Sequence, residues 1–502
     1  MTSILPFTNR SMLSLRATTF LSVCLLVVLL SACSSTTGDT KASAAKVSLA
    51  DCRIKGFDTI ARCAMLAVPE DHQKPASTQL DIFVAVLPAL AQRPEPDPLF
   101  IFAGGPGQAA SDLGRLASTM NDIRKSRDIV LVDQRGTGKS KTVTCEGTSN
   151  VGKDPVAEVL SNDVTSAEKA WTKCMATLKG NPATHRTDDY IDDLELARKA
   201  LGYGSINVWG GSYGSRIALR YMKRFPSSIR SAVLDGVAPT ALRLPDDAML
   251  NSESELKNAL SACAASTSCA KAYPNLSGSL DALLERLRGA PQAVSFAHPS
   301  SGATVNGLMT DRSVISLLWP LLYAPDSARL IPNLIGSALA GNFAPMMSTL
   351  TTGGVAEADI AIVQRFAVMC AEDMLGRSPP TLPRFKALSD MFYGFCKALP
   401  HGKVAPEFFE PTVSDIPTLL LSGSLDPVTP PTQGELAAKT LKQSKHVTFN
   451  GLGHIVSPHS CARRLMAKFV AAGNIAAAVD SCEGEINLPR PHFYVSALEA
   501  RP

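Results

Sequence analysis

Ser212 stands in Gly210-Gly211-Ser212-Tyr213-Gly214, directly after the β-prone run Ile206-Asn207-Val208-Trp209 and directly before the helix-prone run Arg216-Ile217-Ala218-Leu219-Arg220-Tyr221. A strand that turns sharply into a helix at a serine lifts the hydroxyl clear of the sheet, where a base can reach it. The pattern demands a strand with an open carboxyl end, a helix that starts at once, and small residues where two backbones meet around a strained turn; Gly210 and Gly214 supply the last. The pentapeptide alone is a weak signal, and its flanks make it specific.

The surrounding sequence supports an α/β order. Leu80 to Leu87, Leu99 to Phe102, Ile129 to Val132, Ile206 to Trp209, Ala232 to Leu234, Thr418 to Leu421 and Val447 to Phe449 read as strands, with helical patterns between several of them. Short apolar runs without alternation fit a parallel sheet covered on both faces. Reactive groups are then expected at the carboxyl ends of these strands.

Three such ends carry chemistry. Ser212 follows one, Asp426 follows Leu419-Leu420-Leu421-Ser422-Gly423-Ser424-Leu425, and His454 follows Val447-Thr448-Phe449-Asn450-Gly451-Leu452-Gly453. A serine hydroxyl is a poor nucleophile until a base accepts its proton. Histidine titrates close enough to neutrality to do so, and a carboxylate holds the ring in the useful tautomer. His459 lies past Pro458 at a helix start and reads as a surface or capping residue, while Asp415 precedes its strand instead of following it. The order serine, aspartate, histidine is that of α/β hydrolases.

A fourth element is the glycine turn Phe102-Ala103-Gly104-Gly105-Pro106-Gly107. Gly104 and Gly105 are expected to offer backbone N–H groups to a reacting carbonyl, with the amide of Tyr213 as a further donor; one such donor contributes about 3 kcal/mol of transition-state stabilisation. By contrast, Asp133-Gln134-Arg135-Gly136-Thr137-Gly138-Lys139-Ser140 ends like a phosphate-binding loop but has aspartate where that pattern needs glycine. It is expected to be a loop packed beside the active site. No C-x-x-C occurs, so neither zinc nor a redox dithiol is expected; a serine hydrolase mechanism calls for no metal or cofactor.

The amino terminus reads as an export signal over residues 1–32. Arg10 and Arg16 precede an apolar run from Phe20 to Leu30, too short to favour a spanning helix, and no acid occurs before Asp39. Leu30-Ser31-Ala32-Cys33 resembles the bacterial lipobox, which makes Cys33 the expected lipid-attachment site in the cell envelope, with residues 33–50 as anchor and tether. Cleavage near Ser31-Ala32 by an ordinary signal peptidase is the alternative. Without Arg10 and Arg16 the formal charge falls from +4 to +2, and no long Lys/Arg stripe is present, which argues against nucleic acid as a partner. Of 12 cysteines, Cys24 lies in the signal and Cys33 is the lipid site; the even remainder suggests five disulfides between sequence neighbours. The pairs would be Cys52 with Cys63, Cys145 with Cys174, Cys263 with Cys269, Cys370 with Cys396, and Cys461 with Cys482.

Taken together, Gly104-Gly105-Pro106-Gly107, Asp133 to Gly138 with Ser140, Gly210 to Gly214 with Leu234-Asp235-Gly236, Ser422 to Pro430, and Gly453-His454 followed by Cys461 and Cys482 resemble the proline iminopeptidase and tripeptidyl aminopeptidase group of α/β hydrolases. Cys63-Ala64-Met65-Leu66-Ala67-Val68-Pro69 is similar to the secreted tripeptidyl members. The resemblance spans roughly residues 50–485 and implies serine hydrolysis of short peptides from a free amino terminus. It departs at Ala103, where the family's glycine turn usually opens with histidine; backbone donors survive that change.

The resemblance also implies a core over residues 51–240 and 406–502, interrupted at 241–405 by a largely helical cap that selects substrate length. Ser254 to Ala262, Leu280 to Leu287, Val314 to Leu322 and Ala358 to Met369 carry its helical patterns. An exopeptidase needs a partner for the substrate ammonium, and Glu372 and Asp373, in a family-like Cys-x-x-Asp setting after Cys370, are the candidates; a solvated acidic pair is the bland alternative. An esterase with the same triad and a non-catalytic envelope binding protein are the competing readings. The oligomeric state is left open by the sequence.

Overall fold

The computed structural model describes residues 47–140, 142–145, 159–160, 164–298, 301–352, 360–478, 482 and 484–495. The expected export signal and Cys33 lie outside the described residues. A nine-stranded sheet runs in the order β1-β2-β3-β5-β4-β6-β7-β10-β11. Its strands are β1 (Ala50–Cys52), β2 (Ala61–Pro69), β3 (Gln79–Leu87), β4 (Leu99–Phe102), β5 (Ile129–Val132), β6 (Ile206–Gly211), β7 (Ile229–Asp235), β10 (Thr418–Gly423) and β11 (Ser444–Phe449). From β5 across to β11 all neighbours are parallel, whereas β1, β2 and β3 join as an antiparallel edge.

The short apolar strands sit in the middle because both of their faces are covered. Leu99, Ile101, Ile129, Leu131, Trp209, Val233, Leu419 and Leu421 point into one core, with Leu465, Met466, Phe469 and Val470 of the helix Ser460–Ala472. Phe100, Phe102, Val130, Val132, Val208, Ala232, Leu234 and Leu420 point to the other. That second core takes in Tyr190, Ile191 and Leu194 of the helix Thr187–Ala200 and Ile217, Ala218 and Tyr221 of the helix Tyr213–Arg224. Period-two alternation thus makes two cores from continuous apolar runs. Fully burying one such Leu, Val or Phe contributes about 1.5–3 kcal/mol.

The interval expected to be a cap builds its own core from Met249, Leu256, Leu280, Leu284, Val314, Leu318, Ile331, Ile335, Met347 and Phe385, among others. It is not all helix. The hairpin β8 (Gln292–Ala297) and β9 (Thr304–Met309) lies within it, its Val294, Phe296 and Val305 resting against the helical core. The last part of the interval packs elsewhere: Val363, Phe366, Cys370 and Phe395 form a separate cluster with Val143, Trp171 and Cys174. All five disulfides join the sequence neighbours named above. Among the described residues no helix is long and apolar enough to cross a membrane.

Candidate active site

Ser212 joins β6 to the helix Tyr213–Arg224 with φ 55° and ψ −127°. Such a backbone costs about 1–3 kcal/mol and persists only where its surroundings over-determine it. They do. The Ser212 N–H donates to the Asp235 carbonyl at 2.8 Å, and the Ser212 carbonyl accepts from Ser215 N at 2.9 Å and Ser215 Oγ at 2.6 Å. A Cβ on Gly210 would lie 2.2 Å from the Gly214 carbonyl oxygen, and one on Gly214 would lie 2.1 Å from that of Phe102, so any larger residue would force strand and helix apart.

The other two strand-end residues meet across neighbouring strands. His454 Nδ1 lies 2.8 Å from Asp426 Oδ2. Asp426 also accepts from Val428 N at 2.9 Å, Thr429 N at 2.8 Å and Thr429 Oγ1 at 2.8 Å. With only donors facing it, Asp426 is held as a carboxylate. Burial alone would raise its pKa, but His454 and these bonds hold it below the ordinary value. This network assigns the proton to Nδ1 and leaves Nε2 as the acceptor. His454 is itself 9% exposed; burial opposes its charging, yet Asp426, with Asp235 behind it, raises its pKa above the ordinary value.

Ser212 and His454 share one rim of the sheet. Gly236 directly follows the residue that holds Ser212 N–H, and a Cβ there would lie 3.1 Å from His454 Cε1. The Ser212 hydroxyl and the His454 ring are not hydrogen-bonded to one another; a gap of this kind commonly closes on substrate binding. His459 occupies the N-cap position of the helix Ser460–Ala472 but caps it with no side-chain bond, its ring lying instead against Phe449.

The glycine turn lies against the elbow. A Cβ on Gly104 would be 3.1 Å from Ser212 Cβ, and Gly105 has φ 109°. The Gly104 N–H donates to Gln108 Oε1 at 3.2 Å, a side-chain amide oxygen resembling the carbonyl a substrate would present. Tyr213 opens its helix, so its amide belongs to the first turn, where N–H groups have no acceptor within the helix. Ala103 is buried within the core beneath the turn. The phosphate-loop look-alike is a structural knot: Asp133 accepts from Ser111 N and Oγ at 2.8 and 2.9 Å and from Lys139 N at 3.0 Å, while buried Arg135 pairs with Asp193 at 2.6 Å.

Glu372 and Asp373 lie on the single π-helical turn Cys370–Met374 and are 3% and 2% exposed, which disposes of the solvated acidic pair. Asp373 receives Arg216 Nη1 at 2.9 and 3.1 Å. Arg216 is on the helix that Ser212 begins, one turn along, and its Nη1 is 3.6 Å from Glu372. Glu372 accepts from Thr187 N at 2.6 Å and Thr187 Oγ1 at 2.8 Å, and Thr187 Oγ1 bonds the Tyr213 hydroxyl at 2.6 Å. Two carboxylates therefore share one guanidinium. Burial, reinforced by Asp373 and opposed by Arg216, pushes Glu372 up to about 8.

Sequence reasoning missed the residues that hold this arrangement. Thr429 steadies Asp426, Gln108 occupies the Gly104 donor, and Arg216 and Thr187 receive the acidic pair. From the cap interval, the Tyr323 carbonyl accepts the His454 N–H at 2.8 Å, and its ring meets the imidazole edge-on at 5.2 Å. Of these, only Arg216 carried a signal, at four residues from Ser212 on one helical face.

The profile of the α/β hydrolase fold family matches residues 97–458. Serine protease Hip1 of Mycobacterium tuberculosis (strain ATCC 25618 / H37Rv) is 25% identical over 464 residues, covering 82% of this chain and 85% of the relative. Tripeptidyl aminopeptidase of Streptomyces lividans is 26% identical over 190 residues, 35% of either chain. Carboxylesterase B of M. tuberculosis is 28% identical over 271 residues, 49% of this chain and 52% of the relative. With the nucleophile elbow, the parallel sheet and these relatives in place, the chain belongs to the α/β hydrolase fold family and is a serine hydrolase.

Proposed function

We propose that this chain is an exported serine aminopeptidase that releases single residues or short peptides from free amino termini through an acyl-enzyme on Ser212. His454 Nε2 takes the Ser212 proton as Oγ attacks the scissile carbonyl, and Asp426 stabilises the imidazolium that forms. The amides of Gly104, Gly105 and Tyr213 receive the oxyanion once substrate displaces Gln108. The C–N bond then breaks, the leaving amine takes the proton from His454, and water, deprotonated by the same ring, frees the acyl group.

The observation that carries the aminopeptidase reading is the buried acidic pair gathered on Arg216, which lies one helical turn from Ser212. Asp373 is committed to Arg216, with Arg243 a further cation near it, so Glu372, which burial keeps protonated below about pH 8, is the carboxyl left to ionise beside an arriving cation. A substrate ammonium is the cation that would balance it. The likeness to a tripeptidyl aminopeptidase points the same way. The five disulfides support export, and Cys33 is the proposed lipid anchor in the cell envelope.

An esterase is the second reading, favoured by the likeness to carboxylesterase B. A kinetic panel separates the two: aminoacyl and tripeptidyl chromogens with free and acetylated amino termini, beside short-chain esters. The proposal expects kcat/KM for free-amino peptides to exceed that for their acetylated forms by about 10-fold or more, as loss of a charge-assisted hydrogen bond implies. Turnover confined to esters would overturn it.

A further inference from the structure

Asp235 ends β7, which lies between β6, the strand before Ser212, and β10, the strand before Asp426, and nothing in the proton transfer above uses it. It is completely buried. Its backbone carbonyl accepts the Ser212 N–H at 2.8 Å, while its carboxylate reaches the other way: Oδ1 accepts from Val456 N at 3.0 Å and Oδ2 from Ser457 N at 2.7 Å and from Ser457 Oγ. Ser457 Oγ in turn accepts from Trp209 Nε1 at 2.8 Å, and Trp209 belongs to β6, three residues before Ser212. A closed circuit therefore runs from the nucleophile's strand through Asp235 to the histidine loop and back.

The loop so held is strained. Ile455, the residue between His454 and the clamped pair, has φ 68°, a conformation that β-branched side chains avoid. It persists only if its neighbours are fixed on both sides. The Tyr323 carbonyl fixes His454 N–H before it, and the Asp235 carboxylate fixes Val456 and Ser457 after it. The backbone N–H groups of Val456 and Ser457 can only donate, so they favour the ionised carboxylate and oppose the rise in pKa that burial imposes on it.

We infer that Asp235 is a positioning residue for the hydrolytic reaction: one buried carboxylate locks the strained turn that presents His454, ties it to the Ser212 elbow, and adds a second negative charge behind the imidazole. This rests on the reading of Ser212 as nucleophile and His454 as base. The charged and titratable groups around His454 are Asp426 after β10 and Asp235 after β7; Tyr323 faces it from the cap interval. Removing either anion should lower the pH at which the ring loses its proton.

The test is the rate at which a fluorophosphonate inactivates the enzyme, measured from pH 5 to pH 9. This reagent reports Ser212 and its base whatever the natural substrate, so it does not depend on the choice between peptide and ester. In Asp235→Asn the inactivation rate constant should fall by about 10-fold or more, with the midpoint of its pH profile moved down, because the amide cannot satisfy the donors and carries no charge. Asp235→Glu, which restores charge on a longer arm, should recover the midpoint better than the rate. Should Asp235→Asn fail to fold, Ser457→Ala carries the test. It leaves the carboxylate and its two backbone bonds, and should slow inactivation about 3-fold with the midpoint unchanged and thermal unfolding within a few degrees of the parent. An unchanged rate and midpoint in a folded Asp235→Asn, or an unchanged rate in Ser457→Ala, would overturn the inference alone. A parent enzyme in which the reagent leaves Ser212 unmodified would overturn the nucleophile reading and this inference with it.

Discussion

Ser212 and Glu372 show how strain and burial, the two costs of the site, are placed. The serine is held at φ 55° by bonds on both sides of its peptide unit, so its geometry does not depend on substrate. Ser212→Ala, Asp426→Asn and His454→Ala should each lower kcat by about 10³-fold or more while thermal unfolding shifts little. Because His454 is needed as a neutral base and its pKa lies above the ordinary histidine value, activity should rise with pH through a midpoint above about 6.5. A midpoint well below that value would contradict the assigned environment. Glu372, raised from 4.5 to about 8, keeps in the folded state a proton that the unfolded chain has already released. Stability should therefore fall as pH rises from about 4.5 to 8, and Glu372→Gln should flatten that decline in a series of thermal melts. The same substitution should lower kcat/KM for free-amino peptides by about 10-fold and leave a small ester nearly unchanged.

At the scale of elements, the cap interval reaches the loops that carry Asp426 and His454. Asn251 Nδ2 donates to the Val428 carbonyl at 3.0 Å and Ser252 Oγ to that of Pro427 at 2.8 Å, bracing the Asp426 loop; Trp319 Nε1 donates to Ser252 Oγ at 2.8 Å. The Tyr323 carbonyl braces His454. A lid that only chose substrates would leave a small ester unaffected when these contacts are cut. Ser252→Ala combined with Trp319→Phe should instead slow peptide and short-chain ester alike, by about 3- to 10-fold, the range expected for one or two buried hydrogen bonds. These contacts were invisible beforehand because they join residues far apart in sequence through backbone carbonyls, which carry no side-chain signature. The parallel strands were legible for the opposite reason: Ile129 to Val132 and Thr418 to Leu421 are apolar on both faces, and a sheet covered on both sides is what such runs can form. The β8–β9 hairpin was missed although its burial alternates residue by residue, because Ala293, Ala297 and Leu308 put apolar residues on its exposed face and blur the alternation in the sequence. The elbow and the Asp426–His454 pair could be read from strand ends alone. The partners of Glu372 and Asp373 could not, since they depend on where the Cys370–Met374 turn docks.

Over the whole molecule, the sheet supplies rigid strand ends, the cap interval has a core of its own, and five disulfides tie short loops across both. In the chain-entropy account each bridge contributes roughly 2–4 kcal/mol, least for the short Cys263–Cys269 loop. They suit an oxidising compartment, in keeping with the export signal read from residues 1–32. Cys33→Ser should release the protein from membranes or block its processing, whereas unchanged mass and unchanged membrane association would favour an ordinary signal peptide. The central claim concerns acyl transfer to Ser212 from substrates with a free amino terminus. Its most direct measurement is a rapid-quench burst with a tripeptidyl p-nitrophenyl ester, followed by peptide mass spectrometry of the quenched enzyme. The account predicts a burst approaching one equivalent per chain, the tripeptidyl mass on the peptide containing Ser212, and a burst much slower when the same substrate is acetylated at its amino terminus. No adduct on Ser212, or equal burst rates for free and acetylated substrates, would contradict it.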